Sequence, residues 1–138
     1  MKSIYIDSNV LLDVFLDRKE HLEDSFRVLK LVVEKSIVGY TSSVIIINSY
    51  YSIRKVCGKD QAMAFLNTIT DTLNTLPVTQ STIMIAKDSG FNDFEDAVQY
   101  QCAVENGIEC IITRNTKDYA KSLIPVYTPS EYILILLK

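Results

Sequence analysis

The chain alternates short β-prone segments with longer segments of helical periodicity along most of its 138 residues. Strands are predicted at residues 3–6, 37–41 and 109–113, with weaker strands at 76–78 and 125–127. Helices are predicted at residues 10–16, 21–36, 43–56, 61–73, 83–89, 94–106 and 130–137. A chain that alternates in this way is expected to form a mostly parallel sheet with helices packed on both faces. The predicted fold class is therefore α/β, a three-layer α/β/α sandwich.

Length and composition narrow the class of protein further. The chain is 48% hydrophobic and 22% charged, which is typical of a single globular domain, here spanning residues 1–138. The net charge of -3 provides no global basic field for nucleic acid, although a local patch can suffice. We find no signal peptide, and no apolar run approaches the roughly 20 residues of a membrane helix. The three cysteines lack CxxC spacing, so we expect reduced thiols in a cytoplasmic protein.

Polar side chains cluster where predicted strands and helices meet. In parallel α/β sheets ligands bind beyond the carboxyl ends of the strands, and several candidates follow those ends. They are Asp7, Asn48, Asp93, Asp96, Thr113, Asn115 and Asp118. Converging carboxylates repel one another unless a cation lies between them. Oxygen ligands without clustered His or Cys favour Mg²⁺ or Mn²⁺, ions that support phosphodiester hydrolysis.

Each of these residues also has a purely structural interpretation. Asp7 or Ser8 could cap the following helix, because Asp and Ser are common at that position. Asp93 could cap the helix predicted at residues 94–106, and Asp96 would then lie near the positive end of that helix dipole. The polar residues after the third strong strand could be turn residues. Their joint placement along one edge of the sheet favours a shared site over a set of separate caps.

Four segments resemble the PIN domain family, in its branch near the VapC-type toxins. They are IYIDSNVLLD (4–13), TSSVIIINSYY (41–51), DFEDAVQYQCAVENGIECIITRNTKDY (93–119) and IPVYTPSEYI (124–133). The third is the most specific, with its D-A helix start, strand and T-x-N/D-x-x-D motif. The resemblance spans nearly the whole chain. It implies the three-layer fold and a Mg²⁺- or Mn²⁺-dependent ribonuclease, possibly the toxin of a toxin–antitoxin pair.

The resemblance also implies roles for individual residues. Asp7 and Asp96 match the two best-defined metal-binding acids, and Asp118 supplies a further metal-binding acid. Asp93 is expected to be an auxiliary catalytic acid. Three neutral residues are expected to orient ligands or water, and these are Asn9, Thr113 and Asn115.

One position departs from the family pattern. The middle helix usually carries a Glu in its first turns, and the matching residue here is Asn48. An asparagine offers a neutral oxygen but no charge, so we expect weaker metal affinity with Asn48 in the catalytic set. The alternative function is a catalytically degenerate PIN-like module that binds RNA or protein without cutting.

We expect basic residues to hold the RNA backbone. The candidates are Arg54, Lys55, Arg114 and Lys117. Single-stranded or looped RNA is the expected substrate, because stacked helices hide the scissile groups. A toxin would also have an antitoxin partner. The apolar run YILILL (132–137) could complete the core or form a homodimer surface.

Two other enzyme classes are disfavoured by particular residues. A phosphatase of the haloacid dehalogenase type needs a second Asp two residues after the first, and the chain has Asn9 there. A response-regulator receiver needs a Lys at a later strand end, where the chain has Arg114. With a single histidine, the chain offers little for Ser-His-Asp or Cys-His chemistry.

Overall fold

The computed structural model describes residues 2–137, and its centre is a five-stranded sheet in the order β3-β2-β1-β4-β5. Every neighbouring pair of strands is parallel. The strands are β1 (Ser3–Ile6), β2 (Val38–Ser42), β3 (Asn74–Leu76), β4 (Cys110–Ile112) and β5 (Val126–Tyr127). The predicted α/β class with a parallel sheet is confirmed.

Helices cover both faces of the sheet. They are α1 (Ser8–Phe15), α2 (Leu22–Val33), α3 (Ser43–Cys57), α4 (Lys59–Thr72), α5 (Gln80–Lys87), α6 (Phe94–Glu105) and α7 (Pro129–Leu136). Successive strand residues point to opposite faces. Ile4 and Ile6 therefore pack with α1 to α4 and α7, whereas Tyr5 packs with α5 and α6. This arrangement is the predicted three-layer sandwich. Within residues 2–137, none of the helices combines the length and the apolarity needed to cross a bilayer.

Several predicted boundaries differ from the structure, including the helix expected at residues 83–89, which is α5 at Gln80–Lys87. The strand expected at residues 76–78 is β3 at Asn74–Leu76, because Pro77 has no N–H to continue the ladder. The first helix starts at Ser8 and not at residue 10. The segment Thr116–Tyr119, for which the sequence predicted no helix or strand, forms a 3₁₀ helix.

The pairing of β1 with β4 determines where polar groups meet. Ile6 lies opposite Ile112, so both strands end at the same level of the sheet. The Asp7 N–H extends the pairing by donating to the Ile112 carbonyl at 3.0 Å. Asp7 and Thr113 are therefore neighbours at the carboxyl edge, as the sequence predicted.

Candidate active site

Asp7 is the buried centre of the carboxyl edge, with 3% of its surface exposed. Its Oδ2 accepts from Thr113 Oγ1 at 2.8 Å and from Tyr119 Oη at 3.1 Å. Its Oδ1 accepts from Gln99 Nε2 at 2.9 Å and from Ser8 Oγ at 3.2 Å. Although Asp7 occupies the N-cap position of α1, its side chain makes no capping hydrogen bond. The capping interpretation is therefore wrong for the Asp7 carboxylate.

Asp96, in the first turn of α6, is joined to Asp7 through two shared donors. Tyr119 Oη lies 3.3 Å from Asp96 Oδ1, close to its distance from Asp7. Gln99 Nε2 lies 3.5 Å from the same Asp96 oxygen, at the limit of a hydrogen bond. Both donors are almost fully buried. The two acids therefore belong to a single network, although they come from different ends of the chain.

The electrostatics of Asp96 reflect this crowding. Partial burial raises its pKa most, and the nearby carboxylates of Asp7, Asp93 and Asp118 raise it further, to about 7. A hydrogen bond from Tyr119 opposes the rise. Asp96 therefore lies within electrostatic reach of three other acids at this edge.

Asp93 has the structural role that its position suggested. Its carboxylate accepts from the Asp96 N–H at 3.1 Å and caps α6. Capping does not remove the charge, because Asp93 still raises the pKa of Asp96. Asp93 is therefore both a cap and a member of the acidic edge.

A second network holds the loop after β4. Asn9 Nδ2 donates to Thr113 Oγ1 at 3.2 Å, and Asn9 Oδ1 accepts from the Arg114 N–H at 3.2 Å. Thr113 Oγ1 also accepts from the Asn115 N–H at 3.1 Å. Asn9 and Thr113 thus position the loop from which Asn115 and Asp118 extend into solvent.

Asn48 lies on α3 next to a carboxylate that the sequence interpretation did not consider. Its Nδ2 donates to Glu95 Oε2 at 3.0 Å. Glu95 Oε1 lies 3.4 Å from Ser8 Oγ, the same hydroxyl that reaches Asp7. The structure therefore brings a glutamate to Asn48 from α6.

The basic residues are distributed unevenly. Lys117 is exposed in the same 3₁₀ helix as Asp118. Arg114 Nε donates to the buried carboxylate of Asp13 at 2.7 Å, so at least one of its donors is engaged within the protein. Arg54 and Lys55 lie in the last turn of α3, about 9 Å beyond Asn48 along the helix axis.

The residues at the edge suit a hard divalent cation. They offer carboxylate oxygens, and the raised pKa of Asp96 indicates negative charge that a cation would balance. In the same network, the fully buried Oε1 of Gln99 has no hydrogen-bond partner among residues 2–137. In that part of the chain, no three His, Cys, Asp or Glu side chains form a ready-made coordination cluster.

The sequence interpretation missed four residues that the networks use. Gln99 lies three residues after Asp96 and so on the same side of α6, which was the available signal. Tyr119 is the aromatic residue that closes the TRNTKDY segment. Asp13 lies on the buried face of α1, and an aspartate is rarely buried unless another side chain pairs with it. Glu95 gave no signal, because acids are common in the first turn of any helix.

Comparison with known proteins agrees with this architecture. A family model described as PIN domain matches residues 3–117. Ribonuclease VapC1 of Aquifex aeolicus (strain VF5) is 25% identical over 136 residues, covering 95% of this chain and 93% of that protein.

Solved structures of the same fold include Mycobacterium tuberculosis VapC20, described as a sarcin-ricin loop cleaving toxin. It has a TM-score of 0.70 and 17% identity, covering 86% of this chain and 94% of that one. DNA-bound VapBC from Salmonella typhimurium has a TM-score of 0.69 and 14% identity, covering 94% and 99%. Because the family model matches most of its length, this chain belongs to the PIN domain family.

Proposed function

We propose that this chain is a Mg²⁺- or Mn²⁺-dependent endoribonuclease that hydrolyses RNA phosphodiester bonds. The observation that carries the proposal is the joining of Asp7 and Asp96 through Gln99 and Tyr119 at the carboxyl edge of the sheet. The similarity to Ribonuclease VapC1 supports the same activity. The assignment of the acids to metal binding is part of the proposal.

In this function Asp7 and Asp96 hold the ion, and Asp118 adds a charge from the exposed loop. The bound ion would lower the pKa of a water and balance charge that develops on the phosphate. Tyr119 and Gln99 fix the carboxylate of Asp7 by donating to it. Three further residues position the loop or the site, and these are Asn9, Thr113 and Asn115.

Substrate and partner follow from the shape of the edge and from the relatives. Lys117 is exposed beside Asp118, which supports a contact with an RNA phosphate, and single-stranded or looped RNA suits an exposed edge. Several structures of this fold are VapBC or other toxin–antitoxin complexes, which supports a toxin with a small antitoxin partner. Exposed Leu134 on α7 and exposed Leu137 at the C-cap of α7 are the proposed homodimer surface.

The proposal is tested by RNA cleavage with purified protein in Mn²⁺ or Mg²⁺. We expect cleavage that is lost with a chelator and falls more than about 100-fold in Asp96→Asn, beyond the effect usual for an outer-shell partner. Asp88→Asn, which removes an exposed acid paired with Lys87, should cut like wild type. Full activity in Asp96→Asn would overturn the site. A wild type that binds Mn²⁺ but cuts no RNA would favour the degenerate, RNA- or protein-binding module.

A further inference from the structure

The carboxylate of Glu95 lies between the starts of two helices that both face the carboxyl edge. Asn48 Nδ2 of α3 donates to its Oε2 at 3.0 Å. Ser8 Oγ of α1 lies 3.4 Å from its Oε1 and 3.2 Å from Asp7 Oδ1. A single hydroxyl thus separates Glu95 from the central acid of the site.

Contacts from other elements distinguish Glu95 from an ordinary first-turn glutamate. Glu23, in the first turn of α2, accepts from Arg27 on its own helix and is mostly exposed. Glu95 is half-buried and is contacted by residues 87 and 47 positions away in the chain. Glu95 is therefore held at the site by contacts from two other helices, and is not a side chain moving freely in water.

We propose that Glu95 supplies the metal centre with the carboxylate that α3 lacks. The inference rests on the proposed function, since it concerns the same ion. Asn48 donates a hydrogen bond to Glu95, whereas a glutamate at position 48 would place a second carboxylate against it. With an acid on α6 and an amide on α3, the metal centre keeps the same charge. That charge is then carried by α6 and not by α3.

The competing interpretation is that Glu95 only ties α6 to α3. In that case its charge contributes nothing to metal binding, and a glutamine would serve equally well. Glu95→Gln separates the two interpretations, because its amide oxygen can still accept from Asn48 and its amide nitrogen can donate to Ser8 Oγ, while the charge is removed.

The experiment titrates Mn²⁺ into the metal-free full-length chain and follows free Mn²⁺ by its paramagnetic resonance signal. Glu95→Gln should weaken the dissociation constant at least about 10-fold, the lower end for losing a group that supports a metal. Glu23→Gln, the matched first-turn control, should bind within about twofold of wild type, because its charge is exposed and away from the acids. Circular dichroism confirms that each variant is folded.

A charge swap tests the geometry. The double variant Asn48→Glu with Glu95→Gln moves the acid to α3 and should recover most of the affinity that Glu95→Gln loses. A double variant no better than Glu95→Gln would overturn the claim that Glu95 replaces an α3 acid.

The outcomes also separate this inference from the proposed function. If wild type binds Mn²⁺, Asp7→Asn loses it, and Glu95→Gln binds like wild type, then Glu95 has no metal role and the metal site itself stands. If wild type does not bind Mn²⁺ at all, both the metal site and the role of Glu95 are overturned.

Discussion

Buried neutral donors hold the acids of this site in place. Burial and the carboxylates of Asp7 and Asp96 raise the pKa of Tyr119 far above its ordinary value. Its hydroxyl therefore stays protonated and remains a donor at any physiological pH. Gln99, fully buried beside it, donates to the same acids and cannot ionise. These two side chains fix the acids without adding charge.

Removing the Tyr119 hydroxyl should destabilise the protein. Tyr119→Phe keeps the ring and deletes a donor to a buried carboxylate, so we expect the free energy of unfolding to fall by about 1.5–3 kcal/mol. Urea unfolding of metal-free protein measures this. The control is Tyr100→Phe, whose hydroxyl on the same α6 accepts from the exposed Leu123 N–H and should cost less. Equal losses in the two variants would contradict the role given to Tyr119.

For single residues, the position relative to the predicted strands was a better guide to the site than the residue type was. Asp7 and Thr113 could be placed together because parallel strands must end at a common edge. Asp96 was expected at the same edge as an acid at a helix start, and the resemblance gave it the metal-binding role. The contact of Glu95 with Asn48 could not be predicted, because it depends on how α6 approaches α3 in three dimensions.

One buried acid ties three elements of the structure together. Asp13 of α1 is fully buried and accepts from Ser25 Oγ of α2 at 3.0 Å. It also accepts from Arg114 Nε at 2.7 Å and lies 3.6 Å from Arg18 NH1. Because Arg114 begins the loop that carries Asp118, Asp13 anchors that loop to the helical layer.

Breaking the Asp13 anchor should cost far more than breaking a surface pair of equal length. Asp13→Asn leaves Arg114 without its counter-charge, and we expect a loss of about 3 kcal/mol, at the low end for buried pairs because both arginines are partly exposed. Glu23→Gln removes an exposed partner of Arg27, also at 2.7 Å, and should cost under about 1 kcal/mol. Chemical denaturation compares the two. A loss in Asp13→Asn no larger than in Glu23→Gln would show that the buried pair does not anchor the loop.

Elements with a strong local pattern could be predicted from sequence, and elements that depend on pairing could not. β1 and β4 were predicted within two residues because their apolar runs are buried. β3 was misplaced because its exposed Asn74 and Thr75 form a strand only by pairing with β2. The 3₁₀ helix at Thr116–Tyr119 has no periodicity to reveal it.

Acids gathered at one edge make the stability of the whole molecule depend on pH. The net charge is only -3, yet Asp96 lies near three other acids at a single edge. Above about pH 4 the unfolded chain releases the Asp96 proton, because the ordinary pKa of the group is 3.8. The folded chain keeps that proton up to about pH 7. The unfolded state therefore binds fewer protons in this window, and the Asp96 contribution to stability falls as pH rises through it.

Asp96→Asn should therefore stabilise the metal-free protein while removing its proposed activity. Near pH 7.5 we expect the variant to melt above wild type, because the amide carries no charge for Asp7, Asp93 and Asp118 to repel. Near pH 5 the difference should shrink, since wild-type Asp96 is then protonated and neutral too. Saturating Mn²⁺ should raise the melting temperature of the wild type near pH 7.5 and leave that of the variant almost unchanged: at about 100 times its dissociation constant Mn²⁺ adds roughly 2.7 kcal/mol to a protein that binds it. Thermal unfolding at both pH values, with a chelator or with Mn²⁺, measures all of this. If the two proteins have the same melting temperature at both pH values with a chelator, the acids at this edge do not repel one another. The physical reason for a cation there would then be lost.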